Sequence, residues 1–334
     1  MKVAVLSPVA WRTPPRHYGP WEQVSSNIAE GLVKLGMEVT LFATGDSITA
    51  GTLESICEKG YEEDREQDAK VLECLHISNL VEKAGEFDII HNNFDFLPLT
   101  YSGLVKTPFI TTIHGFSSPR IIPVYKKYNS RGHYVSISNS DRSPELEYLA
   151  TVYNGLDIKD FIFNETPEDY LLYFGRIHPH KGTLEAIEIA KKSKRKLLIA
   201  GIVQDEVYFK EKIEPELNDQ IQYIGSAGPD KRNTLLGNAL ALLHPISFDE
   251  PFGLSVAEAM LCGTPVIAFK RGSMPELIKH EETGFLVKTV EEAVAAVDEL
   301  KKINRKNCRD WANANFSCDK MVADYLQLYQ QILG

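Results

Sequence analysis

The sequence predicts an α/β protein of two doubly wound domains, each a parallel sheet covered by helices on both faces. Nearly continuous apolar bursts alternate with segments of helical periodicity almost throughout, which is the pattern of parallel βα units. The bursts also fall into two equal groups with a turn-rich stretch between them. In the first group they read KVAVLS, EVTLFA, FDIIHN, PFITTIHG and HYVSISN. In the second they read YLLYFG, KLLIAG, IQYIG, ALALLHP and TPVIAF. Runs this continuous suit strands buried on both faces.

Between the first two bursts, Val24, Ile28, Leu32 and Leu35 recur at helical spacing, and Gly36 is placed to end that helix. The stretch VYNGLDIKDFIFNETPEDY, residues 152–170, interrupts the pattern with Asn-Gly, Asp and Pro and reads as the linker. It sets the domains at 1–152 and 153–317. The segment CDKMVADYLQLYQQILG is predicted as a terminal helix over about 318–334 that packs back on the first domain.

The chain has 334 residues, enough for two domains that each bury a core. A net charge of −10 argues against nucleic acid as a general partner, because such binding runs on basic surfaces that release counterions. The five cysteines are scattered, with no Cys-x-x-Cys pair, which predicts reduced thiols in a cytoplasmic protein rather than disulfides or zinc. The opening MKVAVLSPVAW runs straight into a strand pattern with no signal peptide, and no apolar run is long enough to span a membrane.

Two segments could carry chemistry. The turn YFGRIHPHKG follows a buried strand and precedes a helix, where ligands gather in doubly wound folds. It offers Arg176, a forked donor suited to phosphate, and Lys181, a point charge just before a helix start. Solvated surface cations are the plainer reading of any isolated Arg or Lys, but the location favours an anion site. His178 and His180 resemble a metal pair, yet no third ligand accompanies them, so no metal is expected.

The second segment is DEPFGLSVAEAM. Ser255 and Glu258 have the spacing of a capping box. Glu250 lies ahead of the helix, where a carboxylate is out of place beside a site that favours anions unless it binds something else. An anion with two phosphates between the two segments, with hydroxyl groups accepted by Glu250 and Glu258 on either side, describes a nucleotide sugar. Spacing alone leaves that reading level with the capping box.

FGRIHPHKG together with EPFGLSVAEAMLCGTPVIA resembles the family 4 retaining nucleotide-sugar glycosyltransferases. YGPWEQVSSNIAEGL, VYNGLD and RGSMPELI…TGFLV are similar to that family's first loop, crossover and closing segment, so the resemblance spans the chain. It implies the GT-B fold, two Rossmann-like domains facing each other across a cleft, with the acceptor on the first and the donor on the second. It further implies that Arg176 and Lys181 hold the donor diphosphate. Glu250 and the N–H groups of Phe252, Gly253 and Leu254 would hold the transferred sugar. Ser255 would open the helix that faces the donor, and Glu258 would hold the ribose. Gly19 would approach the diphosphate from the first domain, and His114 would lie by the reacting face of the sugar. The catalytic set implied is His114, Arg176, Lys181 and Glu250.

Two departures from the family stand out. Pro20 replaces the second glycine of the first loop and removes a backbone donor. Gly272-Ser273 replaces a later Gly-Gly pair. Glu22 and Asp95 are acceptor candidates, although Glu22 reads equally as a first-turn glutamate that stabilises the helix dipole. No acidic residue occurs from Phe96 to Ser140, while Lys106, Arg120, Lys126, Lys127 and Arg131 are basic. A solvated loop is the expected reading. An anionic or lipid-linked acceptor at a membrane surface is the lesser alternative.

The reaction implied moves a hexose from a nucleoside diphosphate to an acceptor hydroxyl with retention. With no Asp-x-Asp in the chain, cations replace a metal and no cofactor is needed. UDP is the expected carrier, with loops such as YIGSAGPDKR (Tyr223–Arg232) choosing the base. Lys181→Ala is expected to cut turnover by orders of magnitude with little loss of folding stability. The alternatives are a sugar-nucleotide epimerase or glycan phosphorylase on a similar fold, and a non-catalytic nucleotide-sugar-binding or scaffold subunit.

Overall fold

The computed structural model describes residues 1–116 and 118–334. The chain divides into two units, Met1–Gly155 with Cys318–Gly334, and Leu156–Ser317.

The first domain is one parallel sheet of seven strands in the order β3-β2-β1-β4-β5-β6-β7. They are β1 (Lys2–Leu6), β2 (Glu38–Phe42), β3 (Thr52–Glu54), β4 (Ile89–Asn92), β5 (Phe109–Ile113), β6 (Tyr134–Ser136) and β7 (Ala150–Thr151). Alternation along β1 explains why both sheet faces are covered. Val3 and Val5 join one core with Val24, Ile28 and Leu32 of the Pro20–Lys34 helix. Ala4 and Leu6 join the opposite core with Ile77, Leu80 and Phe109. The terminal helix Cys318–Leu333 packs against the Pro20–Lys34 helix and adds Met321, Val322, Tyr325 and Tyr329 to the first of these cores.

A buried polar relay ties that helix to the sheet. His91 Nδ1 meets the Tyr329 hydroxyl at 2.6 Å, and His91 Nε2 meets Thr112 Oγ1 at 2.7 Å. Thr112 Oγ1 meets the Tyr325 hydroxyl at 2.7 Å. Burial pushes the pKa of His91 down to about 3, so the imidazole is neutral and uses both nitrogens.

The second domain repeats the plan with six strands ordered β10-β9-β8-β11-β12-β13. They are β8 (Tyr170–Phe174), β9 (Lys196–Ala200), β10 (Ile221–Tyr223), β11 (Ala241–His244), β12 (Val266–Phe269) and β13 (Gly284–Val287). All pairs in both sheets are parallel. In each sheet the strand order reverses once, between β1 and β4 and between β8 and β11. In sheets of this kind ligands bind outside the carboxyl ends of the strands, at such a reversal.

The structure adds β3, β7 and β13 to the ten strands read from sequence. Leu35, read as part of the buried helical stripe, is 47% exposed, because the helix has ended and Gly36 turns the chain away at φ 80°. The crossover falls later than 152/153. Val152 belongs to the first core. Leu156 begins the second domain, its N–H donating to Phe316 O at 2.9 Å. Among the described residues no helix is long and apolar enough to cross a membrane.

Candidate functional site

In the second domain the site is built on the loops that leave β8 and β11, on the two sides of the reversal. The backbone of Arg176 is pinned on both flanks. The Tyr173 hydroxyl donates to Arg176 O at 2.8 Å, and Ile177 N–H donates to Ile202 O at 2.8 Å. A short turn, Pro179–Lys181, then leads through Gly182 into the Thr183–Ser193 helix. Gly182 adopts φ 77°, and a Cβ there would overlap the carbonyl of Pro245 at the end of β11. Only glycine lets the two loops touch. Ser247 N–H, donating to His180 O at 3.0 Å, fastens them a second time.

That contact places Lys181 against Glu250. Lys181 Nζ lies 2.6 Å from Glu250 Oε2, with the two side chains 16% and 15% exposed. The ammonium also sits 4.7 Å from the centroid of the Phe248 ring. Glu250 is held from behind by the turn after β12. There Ser273 N–H donates to Glu250 O at 3.0 Å, and Ser273 Oγ donates to Phe252 O at 2.5 Å. The serine that departs from Gly-Gly is thus a bracket for the Glu250 turn.

The helix that follows spans Leu254–Leu261, with Gly253 as its N-cap and no side-chain cap. This corrects the capping-box expectation. Ser255 lies inside the first turn, because Gly253 in the left-handed region has already opened the helix. Glu258 does something else: it is 8% exposed and accepts from Arg232 Nη1 at 3.0 Å. Burial raises its pKa, and the Arg232 guanidinium opposes that rise. Arg232 in turn lies over the Phe161 ring, 4.8 Å from its centroid. Within the Tyr223–Arg232 loop, the side chains of Pro229 and Asp230 lie outside the described residues.

The carboxyl edge of this sheet therefore carries Arg176, Lys181 and an uncapped helix start, an arrangement that favours an anion. Each of the two carboxylates, Glu250 and Glu258, is already paired with a cation. Sequence reasoning missed His244, and it foresaw neither the Arg232–Glu258 pair nor the hold of Ser273 on the Glu250 turn. His244 ends β11, and its Nε2 lies 3.7 Å from Glu250 Oε2. Its only sequence signal is a histidine closing an apolar run shortly before Glu250. His178 and His180 lie ring to ring, with centroids 5.1 Å apart. Among the described residues no group of three or more His, Cys, Asp or Glu side chains could hold a metal.

The first domain carries Gly19, Asp95 and His114 on the loops after β1, β4 and β5, and Glu22 in the first turn of the Pro20–Lys34 helix. Gly19 is the N-cap of the Pro20–Lys34 helix. Pro20 takes its first position, where the missing N–H has no intrahelical partner in any case. Glu22 is 3% exposed and accepts from Trp11 N–H at 3.3 Å. Burial lifts its pKa to about 7. His114 Nε2 meets Asn93 Oδ1 at 3.0 Å, and its ring stacks on Trp21 with centroids 5.6 Å apart. An amide oxygen only accepts, so Nε2 carries the proton and Nδ1 remains an acceptor. Burial lowers this pKa to about 3, so His114 is neutral and is no imidazolium acid. Asp95 sits at φ 55° and accepts a short hydrogen bond from the Tyr125 hydroxyl. Burial raises its pKa. The five basic residues between Phe96 and Ser140 are all exposed, and Lys126 is paired with Glu145 at 2.9 Å. Ser117, within that stretch, lies outside the described residues.

Known proteins share this fold. An uncharacterized glycosyltransferase of Methanocaldococcus jannaschii is 23% identical over 86% of this chain and 85% of its own. The sucrose-phosphate synthase of Thermosynechococcus elongatus has the same fold, with a TM-score of 0.79, 18% identity and 99% of each chain covered. So has Anabaena HepE, solved with UDP-glucose, with a TM-score of 0.74, 18% identity, and 99% of this chain and 100% of that one covered. The two Rossmann-like domains thus share the GT-B fold of solved glycosyltransferases, and residues 157–317 match the family of glycosyl transferases group 1.

Proposed function

We propose that the protein transfers a hexose from a nucleoside diphosphate sugar to an acceptor hydroxyl, with retention at the anomeric carbon and without a metal ion. The observation that carries this reading is the meeting of Lys181 and Glu250 at the β8/β11 reversal, in a domain that matches glycosyl transferases group 1. Cleaving the anomeric bond builds negative charge on the leaving phosphate. Arg176, Lys181 and the helix start at Gly253 are the groups that stabilise it, which is a large term in such catalysis. Glu250 accepts hydrogen bonds from the sugar, and Glu258 accepts them from the ribose once Arg232 yields. The acceptor attacks on the face that the leaving group departs, through an oxocarbenium-like state. Glu250 and Glu258 bind different parts of the donor and do not flank the bond as a glycosidase pair does. In the first domain, His114 offers a neutral acceptor nitrogen to the sugar, and Glu22 and Asp95 serve the acceptor. The solved complex of HepE with UDP-glucose supports a UDP sugar as the donor of first choice.

Thermal shift with UDP-, GDP- and ADP-sugars, in EDTA and in magnesium, tests the reading. Ligand at about a hundred times its dissociation constant stabilises by roughly 2.7 kcal/mol. One nucleotide should raise the midpoint equally with and without metal, and Arg176→Ala should abolish the rise. No shift with any donor would sink the proposal.

A further inference from the structure

His244 is a buried histidine with an unused nitrogen. It is 7% exposed, and its Nε2 has no hydrogen-bond partner. Buried polar atoms are nearly always satisfied, and leaving one unmet costs about 1–3 kcal/mol. An exception beside a binding group points to a partner gained in another state. The nearest acidic oxygen is Glu250 Oε2 at 3.7 Å, the oxygen that Lys181 Nζ holds at 2.6 Å. Two groups therefore face one carboxylate oxygen, and in the resting protein only the lysine reaches it.

We propose that His244 is a positioning residue that takes hold of Glu250 when Lys181 turns to the phosphates of the donor. The inference rests on the donor-site reading above. A diphosphate draws the lysine, and Glu250 would then face a sugar with no cation and an unfixed orientation. Closing the gap to an ordinary hydrogen bond of about 2.9 Å takes a small rotation. A neutral imidazole donates from Nε2, so it orients the carboxylate without taking its charge, and the other oxygen stays open to sugar hydroxyls. Burial is the main cause that holds His244 neutral, with its pKa down at about 4. Among its charged neighbours, Glu250 acts to raise that value and Lys181 to lower it. Loss of Lys181 from the carboxylate therefore strengthens the pairing from both sides.

The pairing can be read without substrate by following the His244 imidazole in long-range 1H–15N spectra across pH. In Lys181→Met the titration midpoint should rise by about one pH unit or more, as expected for a repelling charge removed and an attracting one released. The proton of the neutral form should sit on Nε2, and adding Glu250→Gln should return the midpoint. An unmoved midpoint in Lys181→Met, or a proton on Nδ1, would overturn the proposal. A second arm uses turnover with the UDP sugar. His244→Phe should lose at least tenfold in kcat, and His244→Gln should recover most of it, because its amide N–H falls near the place of Nε2. The thermal shift given by UDP alone should be equal in wild type and both variants. Full activity in His244→Phe, or loss of the UDP shift together with activity, would also overturn it. A wild-type protein that turns over no nucleotide sugar would remove the donor reading, while the spectra would still decide whether His244 and Glu250 pair.

Discussion

Lys181 and Glu250, far apart in sequence, form an ion pair of 2.6 Å with little of either side chain exposed. Each neutralises the other before any ligand arrives. The sequence reading treated Lys181 as indifferent to folding, and the pair revises that expectation. Lys181→Ala should lose about 2 kcal/mol, between the small value of exposed pairs and the 3–5 kcal/mol of fully buried ones. Adding Glu250→Gln should restore most of it. Denaturant melts of the two single variants and the double variant check this, and additive losses would refute the coupling.

Gly272 bears on Glu250 from the opposite side. It sits at φ 50°, and a Cβ there would overlap the backbone N and O of Glu250. Gly272→Ala must push the carboxylate aside or break the Ser273 bracket. Turnover should fall by about a hundredfold, the scale of a 1 Å misplacement, while nucleotide binding persists. Steady-state kinetics beside a UDP thermal shift separates the two effects.

Glu22 makes stability depend on pH. Its folded pKa, about 7, lies above the ordinary carboxylate value, so the folded domain keeps a proton that the unfolded chain releases. Stability contributed by the neutral carboxyl is complete below about pH 4.5 and declines as pH rises through about 7. The whole decline is about 3 kcal/mol, at about 1.4 kcal/mol per pH unit. Asp141, which burial also raises to about 7, adds a slope of the same sign. Melting wild type and Glu22→Gln from pH 4 to 8 isolates the Glu22 share, and parallel curves would contradict it.

The relay through His91 predicts a cost for single hydroxyls. Tyr329→Phe leaves His91 Nδ1 buried with its partner removed, which should cost about 1–3 kcal/mol. Tyr325→Phe removes one of the two partners of Thr112 Oγ1 and should cost less. Chemical denaturation of both variants tests the order.

The strands legible in sequence were those with long apolar runs. β3, β7 and β13 escaped because each is a short strand at the edge of its sheet, paired on one side. Edge strands need not be apolar on both faces, so Thr52–Glu54 and Ala150–Thr151 carry no burst. At the site, Arg176, Lys181 and Glu250 stood out through charge at the ends of apolar strands. Arg232 did not, because its partner Glu258 is remote in sequence and the spacing from Ser255 offered a local explanation. His244 was hidden by the apolar run it closes, and only the fold sets its nitrogen beside Glu250.

The first domain is assembled from two separated pieces of chain, and Met321, Val322, Tyr325 and Tyr329 from the second piece complete one of its cores. On the ribosome, residues 156–317 emerge between those pieces. At about 5–20 residues per second they take roughly 8–30 s. Throughout that interval the apolar faces around Val24, Ile28 and Leu32 await their cover, while the second domain can close on itself. The domain that begins first is the one that finishes last, with one of its cores uncovered for the whole of that interval.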